Sequence, residues 1–204
     1  MRSRKTLDKR EAAIEFVPYS ITGPLDFRQL FSEAGPVEID AGCGDGTFLV
    51  ALAARNPQRN FLGIERLPGR VGSVCRKAAS LNLANVRVVH MDATDLVSHL
   101  LAPATISAFH LLFPDPWPKR KHHRRRAITK DFIRAIHRVL LPDGFLHIAT
   151  DHAEYFRQIE HLLSPGFATS GQNPSFPQSA FEQRFAVSGA PIYRLLLRKI
   201  SLVR

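Results

Sequence analysis

A short apolar strand that runs directly into a glycine-rich loop constrains the fold of this chain more than any other feature. Val37-Glu-Ile-Asp40 is followed by Ala-Gly42-Cys-Gly44-Asp-Gly46 and then by a helical pattern over residues 47–54. Glycine at alternate positions lets backbone approach a ligand where a Cβ would collide, and the helix start offers unpaired N–H groups. Asp40 ends its strand at the carboxyl edge of the expected sheet, where open α/β folds bind ligands. By itself, a glycine-rich sequence of this kind is also compatible with a tight turn that has only a structural role.

Two further strands end in an acid in the same way. Residues 60–65 end at Glu65, nineteen positions after Gly46, and residues 86–92 end at Asp92. An acid at Glu65 suits a bidentate contact with two ribose hydroxyls, and Asp92-Ala93 is placed to meet an adenine amino group. The loop spacing differs from the G-x-G-x-x-G of dinucleotide sites. We therefore expect an α/β domain with a nucleoside site that holds no pyrophosphate.

The most distinctive stretch follows a fourth apolar run, residues 106–113. It reads Phe113-Pro-Asp115-Pro-Trp117-Pro, and every residue from 119 to 126 is Lys, Arg or His. The prolines prevent the strand or a helix from continuing, so Asp115 and Trp117 are expected on a stiff, exposed loop. A carboxylate and an aromatic ring beside a cationic block suit a base held against a phosphate backbone. A solvated charge run and ordinary packing of Trp117 are the alternatives.

Composition agrees with a nucleic-acid partner. The formal net charge is +10 and the isoelectric point is near 10.3, which favours an anionic partner. The two cysteines form neither a disulfide framework nor a zinc spacing, and His122-His123 has no third metal ligand at a suitable spacing. No apolar run approaches the ~18 residues that span a bilayer, and no apolar segment follows the basic start. We expect a cytoplasmic protein without a membrane segment.

The remaining chain completes one domain. We expect a basic, mobile arm over residues 1–24 and a single domain over residues 25–204. A strand that ends at Thr150-Asp151, with Asp151 as a candidate helix cap, is followed by a helix and by a long loop over residues 164–178. A final strand toward Ile200 is expected to pair with the strand before Asp151.

The acids and glycines together resemble the S-adenosylmethionine pocket of class I, Rossmann-like methyltransferases. This resemblance implies an α/β fold with a seven-stranded, mostly parallel sheet and helices on both faces. It also implies S-adenosylmethionine as cofactor, S-adenosylhomocysteine as product, and no metal. The implied cofactor-binding residues are Asp40, Gly42, Gly44, Gly46, Glu65, Asp92, Ala93 and Asp115.

Over residues 25–200 the chain resembles the bacterial tRNA (guanine-N7-)-methyltransferase family. The shared motifs are the glycine loop, Gly-Ile-Glu65, Asp92-Ala93, Phe-Pro-Asp115-Pro-Trp-Pro-Lys119, the basic run, Thr150-Asp151 and Glu182…Phe185…Gly189-x-Pro-Ile-Tyr-Arg194. The resemblance implies methylation of guanine N7 at position 46 of the tRNA variable loop, with Asp115 as the catalytic residue. The implied substrate-binding residues are Lys119, His122, Arg125, Asp151, Ser179 and Glu182. It implies no obligatory protein partner, and a monomer or a weak homodimer.

Two departures from the family pattern stand out. Asp40 replaces the usual Glu and is one methylene shorter, and Ser179 replaces the usual Thr, with Phe181 in place of Tyr. One alternative is amino methylation of adenine or cytosine, because Asp-Pro-Trp partly matches the Asp-Pro-Pro-aromatic loop of those enzymes. The other is a tRNA-binding module of the same fold without activity, which retention of every pocket acid argues against.

Overall fold

The structure, a computed structural model, describes residues 6–20, 23–163, 166–170 and 174–200, without the side chains of Arg120, Arg124 and Arg125. Its strands are β1 (Glu15–Phe16), β2 (Val37–Ala41), β3 (Asn60–Glu65), β4 (Val86–His90), β5 (Ile106–Leu112), β6 (Leu140–Thr150), β7 (Phe167–Thr169) and β8 (Tyr193–Lys199). Its helices are α1 (Lys9–Ala12), α2 (Phe27–Leu30), α3 (Thr47–Arg55), α4 (Pro68–Ser80), α5 (Ala93–Asp95), α6 (Lys130–Val139), α7 (Ala153–Leu162) and α8 (Ala180–Ser188), with a π-helical turn at Leu96–Leu100 and a 3-10 segment at Arg120–Arg125.

The strands form a single sheet in the order β1-β4-β3-β2-β5-β6-β8-β7. Strands β1 to β6 pair in parallel, whereas β8 runs antiparallel to both β6 and β7. The predicted class and the pairing of the last strand with the strand before Asp151 are confirmed. The described sheet has eight strands rather than seven, because Glu15–Phe16 adds a short edge strand beside β4.

Apolar side chains cover both faces of the sheet. One cluster packs α3 and α4 against β3 and β4, through residues such as Phe48, Val71 and Val74. The other packs α6 and α7 on the opposite face, through residues such as Phe132 and Tyr155. Every residue of β2 and β3 is buried, as expected for central parallel strands. The carboxyl ends of β4, β3, β2, β5 and β6 therefore lie side by side at one edge.

Three segments differ from the sequence analysis. In the expected mobile arm, α1 begins with a capping box and β1 pairs with β4, because Ile14 of this segment is buried. The expected loop 164–178 contains β7, which adds an outer strand to β8. Residues 180–188 form α8, where no helix was expected. Residues 1–5, 21–22, 164–165 and 171–173 of these segments lie outside the described residues, and the division at residue 24 stays a prediction.

Other helix ends follow local rules. Thr129 caps α6, accepting a hydrogen bond from the Phe132 N–H at 3.2 Å. Pro68 begins α4 at the first helical position, where its missing N–H costs nothing. Within the described residues, no helix is both long enough and apolar enough to cross a membrane.

Candidate active site

The glycine loop lies at the carboxyl end of β2 and leaves open space on its outer side. Gly42 has φ +72°, and a Cβ added there would meet no heavy atom within 4 Å. At Gly46, with φ +81°, an added Cβ would lie 2.9 Å from Cγ2 of Val74 on α4. Gly46 is therefore required for packing, whereas Gly42 and Gly44 leave backbone accessible beside an empty volume.

Asp40 lies beneath this loop and is buried, with 3% of its surface exposed. Burial raises its pKa to about 7; nearby His110 opposes the rise and Glu65 adds to it. A buried carboxylate without a strong cationic partner is costly to ionise. A cationic ligand above the loop would supply the missing positive charge.

The carboxylate of Glu65, at the end of β3, is held in place by backbone amides. Oε2 accepts from the N–H of Gly44 at 3.0 Å, and Oε1 accepts from the N–H of Leu67 at 2.8 Å. The Arg70 guanidinium is 3.9 Å from Oε2. Each carboxylate oxygen has a second lone-pair direction, so the amides orient the group and leave it able to accept from two neighbouring hydroxyls.

Asp92 follows β4 at the same edge. Its side chain caps the short helix α5, with Oδ1 accepting from the Thr94 N–H at 2.8 Å, and it remains exposed. Ala93 packs against the core. The structure thus places the three acids predicted at strand ends on three adjacent strands: β4, β3 and β2.

These residues fit S-adenosylmethionine. The open side of the glycine loop accepts backbone approach, Glu65 and Asp92 supply acceptors for ribose and adenine donors, and Asp40 supplies a carboxylate for a cationic group. No metal-binding cluster of three or more His, Cys, Asp or Glu occurs among the described residues.

Asp115 follows β5, on the other side of β2 from Glu65. Its side chain is 71% exposed, and its Oδ2 is 4.0 Å from Nη2 of Arg66. Phe113 and Trp117, on either side, have positive φ values of 51° and 41°, a conformation that non-glycine residues adopt only under constraint. The predicted stiff, exposed loop is thus present, with its carboxylate directed to solvent near Arg66, the residue after Glu65.

The basic run occupies the 3-10 segment after this loop. Lys119 is exposed, and the half-buried His122 ring meets the Trp117 ring edge-on at 5.7 Å. The side chain of Arg125 lies outside the described part of the chain. Arg126, the last member of the run, differs from the cationic block expected to meet a phosphate backbone, because it is buried and bonded to the protein itself.

Asp151 follows β6 and is half-buried. The alternative that Asp151 caps the next helix is wrong, because His152 occupies the cap position and its ring accepts from the Tyr155 N–H at 3.2 Å. Asp151 therefore does not serve as a helix cap. It lies at the same edge of the sheet as Asp115.

Ser179 and Glu182 form a reciprocal capping box at the start of α8. Ser179 Oγ accepts from the Glu182 N–H at 3.1 Å, and Glu182 Oε2 accepts from the Ser179 N–H at 2.8 Å. Glu182 Oε1 accepts from Arg194 at 2.9 Å. Both residues are buried, so their first role is to fix the start of this helix.

Helix α8 is brought against the Asp115 loop by aromatic contacts. The Phe113 ring lies 5.8 Å from that of Phe181 and 5.4 Å from that of Phe185. Residues separated by about 70 positions thus adjoin, and the N-terminal turn of α8 lies near the site predicted from the strand ends.

Sequence reasoning missed a buried polar cluster beneath the pocket. His110 Nε2 is 3.0 Å from Glu38 Oε2, and His110 Nδ1 is 3.3 Å from Nδ1 of His147. Burial tends to raise the pKa of Glu38, but His110 and Arg59 outweigh it and the pKa is lowered. Burial lowers the pKa of His147 to about 3. A signal was available in the sequence, because His110 lies within a mostly apolar strand. The structure adds that His110 pairs with Asp40 in the sheet register.

Comparison with known proteins agrees with this site. Residues 34–195 match a family model described as "Putative methyltransferase". A tRNA (guanine-N(7)-)-methyltransferase of Halorhodospira halophila is 37% identical over 186 residues, which cover 86% of this chain and 80% of the relative. A protein of the same name from Nitrosospira multiformis is 34% identical over 190 residues, 90% of this chain and 82% of the relative.

Solved structures agree on the fold. An antibiotic-related methyltransferase superposes with a TM-score of 0.61 at 16% identity, over 99% of each chain. Such low identity supports the fold alone. The sequence matches, in contrast, extend through the glycine loop, the Asp115 loop and the basic run. This chain belongs to the tRNA (guanine-N(7)-)-methyltransferase family.

Proposed function

We propose that this chain transfers a methyl group from S-adenosylmethionine to N7 of a guanine in tRNA. The observation that carries the proposal is the exposed Asp115 carboxylate, which follows β5 at the same sheet edge as the glycine loop after β2 and directly precedes the basic run in the chain. The names of the relatives describe the same reaction. The family resemblance points to the guanine at position 46 of the variable loop.

The chemistry demands orientation more than proton transfer. When bound, S-adenosylmethionine supplies an electrophilic methyl group on a sulfonium. Guanine N7 carries an in-plane lone pair, so no protein base has to remove a proton from it. The protein must align N7 with the methyl and stabilise the ring as it becomes cationic. Carboxylates at the carboxyl edge of the sheet suit both tasks.

Asp115 and Asp151 are the best placed acceptors for the N1–H and the amino group of guanine. Asp115 is exposed, and Asp151 is free of the capping role. Glu182 is buried and accepts from Ser179 and Arg194. Each of its oxygens keeps a second lone-pair direction that can accept from a further donor, so in our proposal Glu182 and Ser179 position α8 and complete the guanine pocket from the side.

The basic run is proposed to hold the tRNA backbone. Lys119 is exposed and His122 is half-buried beside Trp117, and both offer donors to phosphate oxygens. Arg125 is assigned the same role from the family resemblance. These contacts position the tRNA without reading its sequence.

The first test is transfer of labelled methyl to unmodified tRNA by the purified chain, followed by nucleoside analysis. We expect 7-methylguanosine, and loss of that product when the guanine at position 46 is replaced by adenine. A methylated adenosine or cytidine would favour amino methylation, and binding of both ligands without transfer would favour a silent module. We also propose that the protein acts in the cytoplasm, as a monomer or weak homodimer, without an obligatory partner protein. Activity of the purified chain alone would support the last point, and sedimentation of the active protein would test its oligomeric state.

Arg125→Ala is expected to weaken tRNA binding and to leave cofactor binding unchanged. Loss of one phosphate contact should reduce the slope of log affinity against log salt by about 1. Filter binding at several salt concentrations measures this, with cofactor affinity determined by calorimetry. Arg55→Ala is the control, because Arg55 is an exposed cation at the end of α3 that lies at the opposite edge of the sheet. Equal loss of tRNA and cofactor binding would contradict the division of roles.

A further inference from the structure

Arg126 ends the basic run in the sequence, but it does not belong to the basic surface. It is 3% exposed, so an RNA phosphate cannot reach its guanidinium without displacing the protein around it. We propose that Arg126 is a positioning residue that fixes the Asp115–Trp117 turn, and that it makes no contact with RNA. The proposal deepens the proposed function and rests on it for the role of Asp115.

The contacts of Arg126 join the Asp115 loop to α7. Its Nε donates to the backbone oxygen of Pro116 at 2.7 Å, directly between Asp115 and Trp117 in the chain. Nη1 donates to Oε1 of Gln158, and Nη2 donates to Oε1 of Glu154 at 3.3 Å. The guanidinium also lies over the ring of a third residue of this helix, Tyr155, with Cζ 4.7 Å from the ring centroid.

Helix α7 is itself tied to the chain beyond Arg126. The Tyr155 hydroxyl accepts from the N–H of Ile128 at 3.2 Å. Burial raises the pKa of Tyr155, and the bond from Ile128 and the charge of Arg126 oppose the rise. The Arg126 cluster therefore joins the backbone next to Asp115 to α7 and to the chain at Ile128.

The loop needs such an anchor because its backbone is strained. Phe113 and Trp117 both have positive φ, a conformation that is unfavourable for any residue with a side chain. Packing of Phe113 on Phe181 and Phe185 holds the start of the loop, and the bond from Arg126 to Pro116 holds its far side. The backbone is fixed at two places while the Asp115 carboxylate stays exposed, which is the arrangement that pre-orients a group for a reaction.

A lysine cannot replace this arginine. The planar guanidinium donates in three directions at once and stacks on an aromatic ring, whereas an ammonium is a compact charge without a fork. Removing one partner of a buried charged cluster also leaves the others without their bonds. Arg126→Lys and Arg126→Met should therefore both release the loop, and the lysine should recover little.

The fluorescence of Trp117 reports the conformation of the loop directly, because Trp117 is the single tryptophan of the chain and directly follows Pro116. We expect Arg126→Met and Arg126→Lys to increase acrylamide quenching of Trp117 fluorescence. We also expect kcat for methyl transfer to fall about 100-fold, the effect of displacing a reacting group by about 1 Å. The tRNA dissociation constant and its salt dependence should not change, because no phosphate contact is lost.

Arg125→Met is the matched control, with the same change one residue earlier, and it should weaken tRNA binding without altering the fluorescence of Trp117. Gln158→Ala removes one partner and keeps Arg126; a smaller effect in the same direction is expected. This variant is the test if the Arg126 variants do not fold.

Two results would overturn the proposal. The first is a reduced salt slope for tRNA binding at unchanged kcat, which would make Arg126 an RNA contact. The second is a lower melting temperature with unchanged quenching and unchanged kcat per folded molecule, which would make it a purely structural residue. If the wild-type chain forms no 7-methylguanosine, the proposed function fails, but the quenching and binding measurements still decide whether Arg126 positions the loop.

Discussion

Asp115→Asn is expected to lower kcat for methyl transfer by about two to three orders of magnitude, the loss typical of removing one aligned electrostatic group from an active site. Asparagine keeps the size of the side chain but removes the charge that would stabilise a guanine ring as it becomes cationic. Because the side chain is 71% exposed and its contact with Arg66 is 4.0 Å long, the variant should fold normally and bind tRNA with little change. Single-turnover kinetics with saturating tRNA and cofactor measure the effect on the chemical step.

Asp143→Asn is a suitable control for that experiment. Asp143 lies in the bulged start of β6, at the opposite edge of the sheet, and its side chain is 75% exposed beside Arg198. Asparagine tolerates the positive φ of 61° found there, so full activity is expected. Near-normal kcat in Asp115→Asn would remove Asp115 from the reaction. A weaker tRNA affinity at unchanged kcat would instead make it a binding residue.

The strand-end acids could be predicted because their signal is local. Asp40, Glu65 and Asp92 each end an apolar run, and parallel strands place such ends together at one edge. The exposed loop around Asp115 was likewise predictable, because proline limits the backbone in any fold. The expected and observed positions of these residues therefore agree, although their roles stay proposals.

The sequence analysis assigns Ser179 and Glu182 to substrate binding alone, yet Ser-x-x-Glu is also the sequence pattern of a helix capping box. In the structure, the two residues form such a capping box at the start of α8. Short motifs with two physical uses are ambiguous until the neighbouring backbone is known.

Arg126 and the histidine pair were missed for another reason: their partners are distant in sequence. Arg126 meets Gln158 across 32 positions, and His110 meets His147 across 37. In the sequence, Arg126 is one of eight consecutive basic residues, and only tertiary packing shows that this one is buried.

The raised pKa of Asp40 leads to the second large effect, a pH dependence of cofactor affinity. With a pKa of about 7, Asp40 is mostly protonated at pH 6 and mostly ionised at pH 8. If the ionised form holds the cationic cofactor, affinity for S-adenosylmethionine should rise about tenfold between these pH values. Asp40→Asn should bind more weakly at pH 8 and lose this slope. Calorimetric titrations at several pH values measure both.

The same residue should make folding stability depend on pH in the opposite direction. The folded-state pKa of Asp40 is above its unfolded value of 3.8, so the folded protein holds a proton that the unfolded chain has released. The stability that Asp40 contributes is therefore lost as pH rises from about 4 through about 7, and amounts to on the order of 4 kcal/mol.

The difference in unfolding free energy between wild type and Asp40→Asn isolates this effect from His147, whose lowered pKa acts in the opposite sense below pH 6.5. Asp45→Asn is the control, because Asp45 pairs with Lys77 at 2.7 Å and its pKa is lowered. A cofactor affinity and a stability difference from Asp40→Asn that are both flat from pH 5 to pH 8 would show that Asp40 does not titrate in this range, and would contradict the prediction.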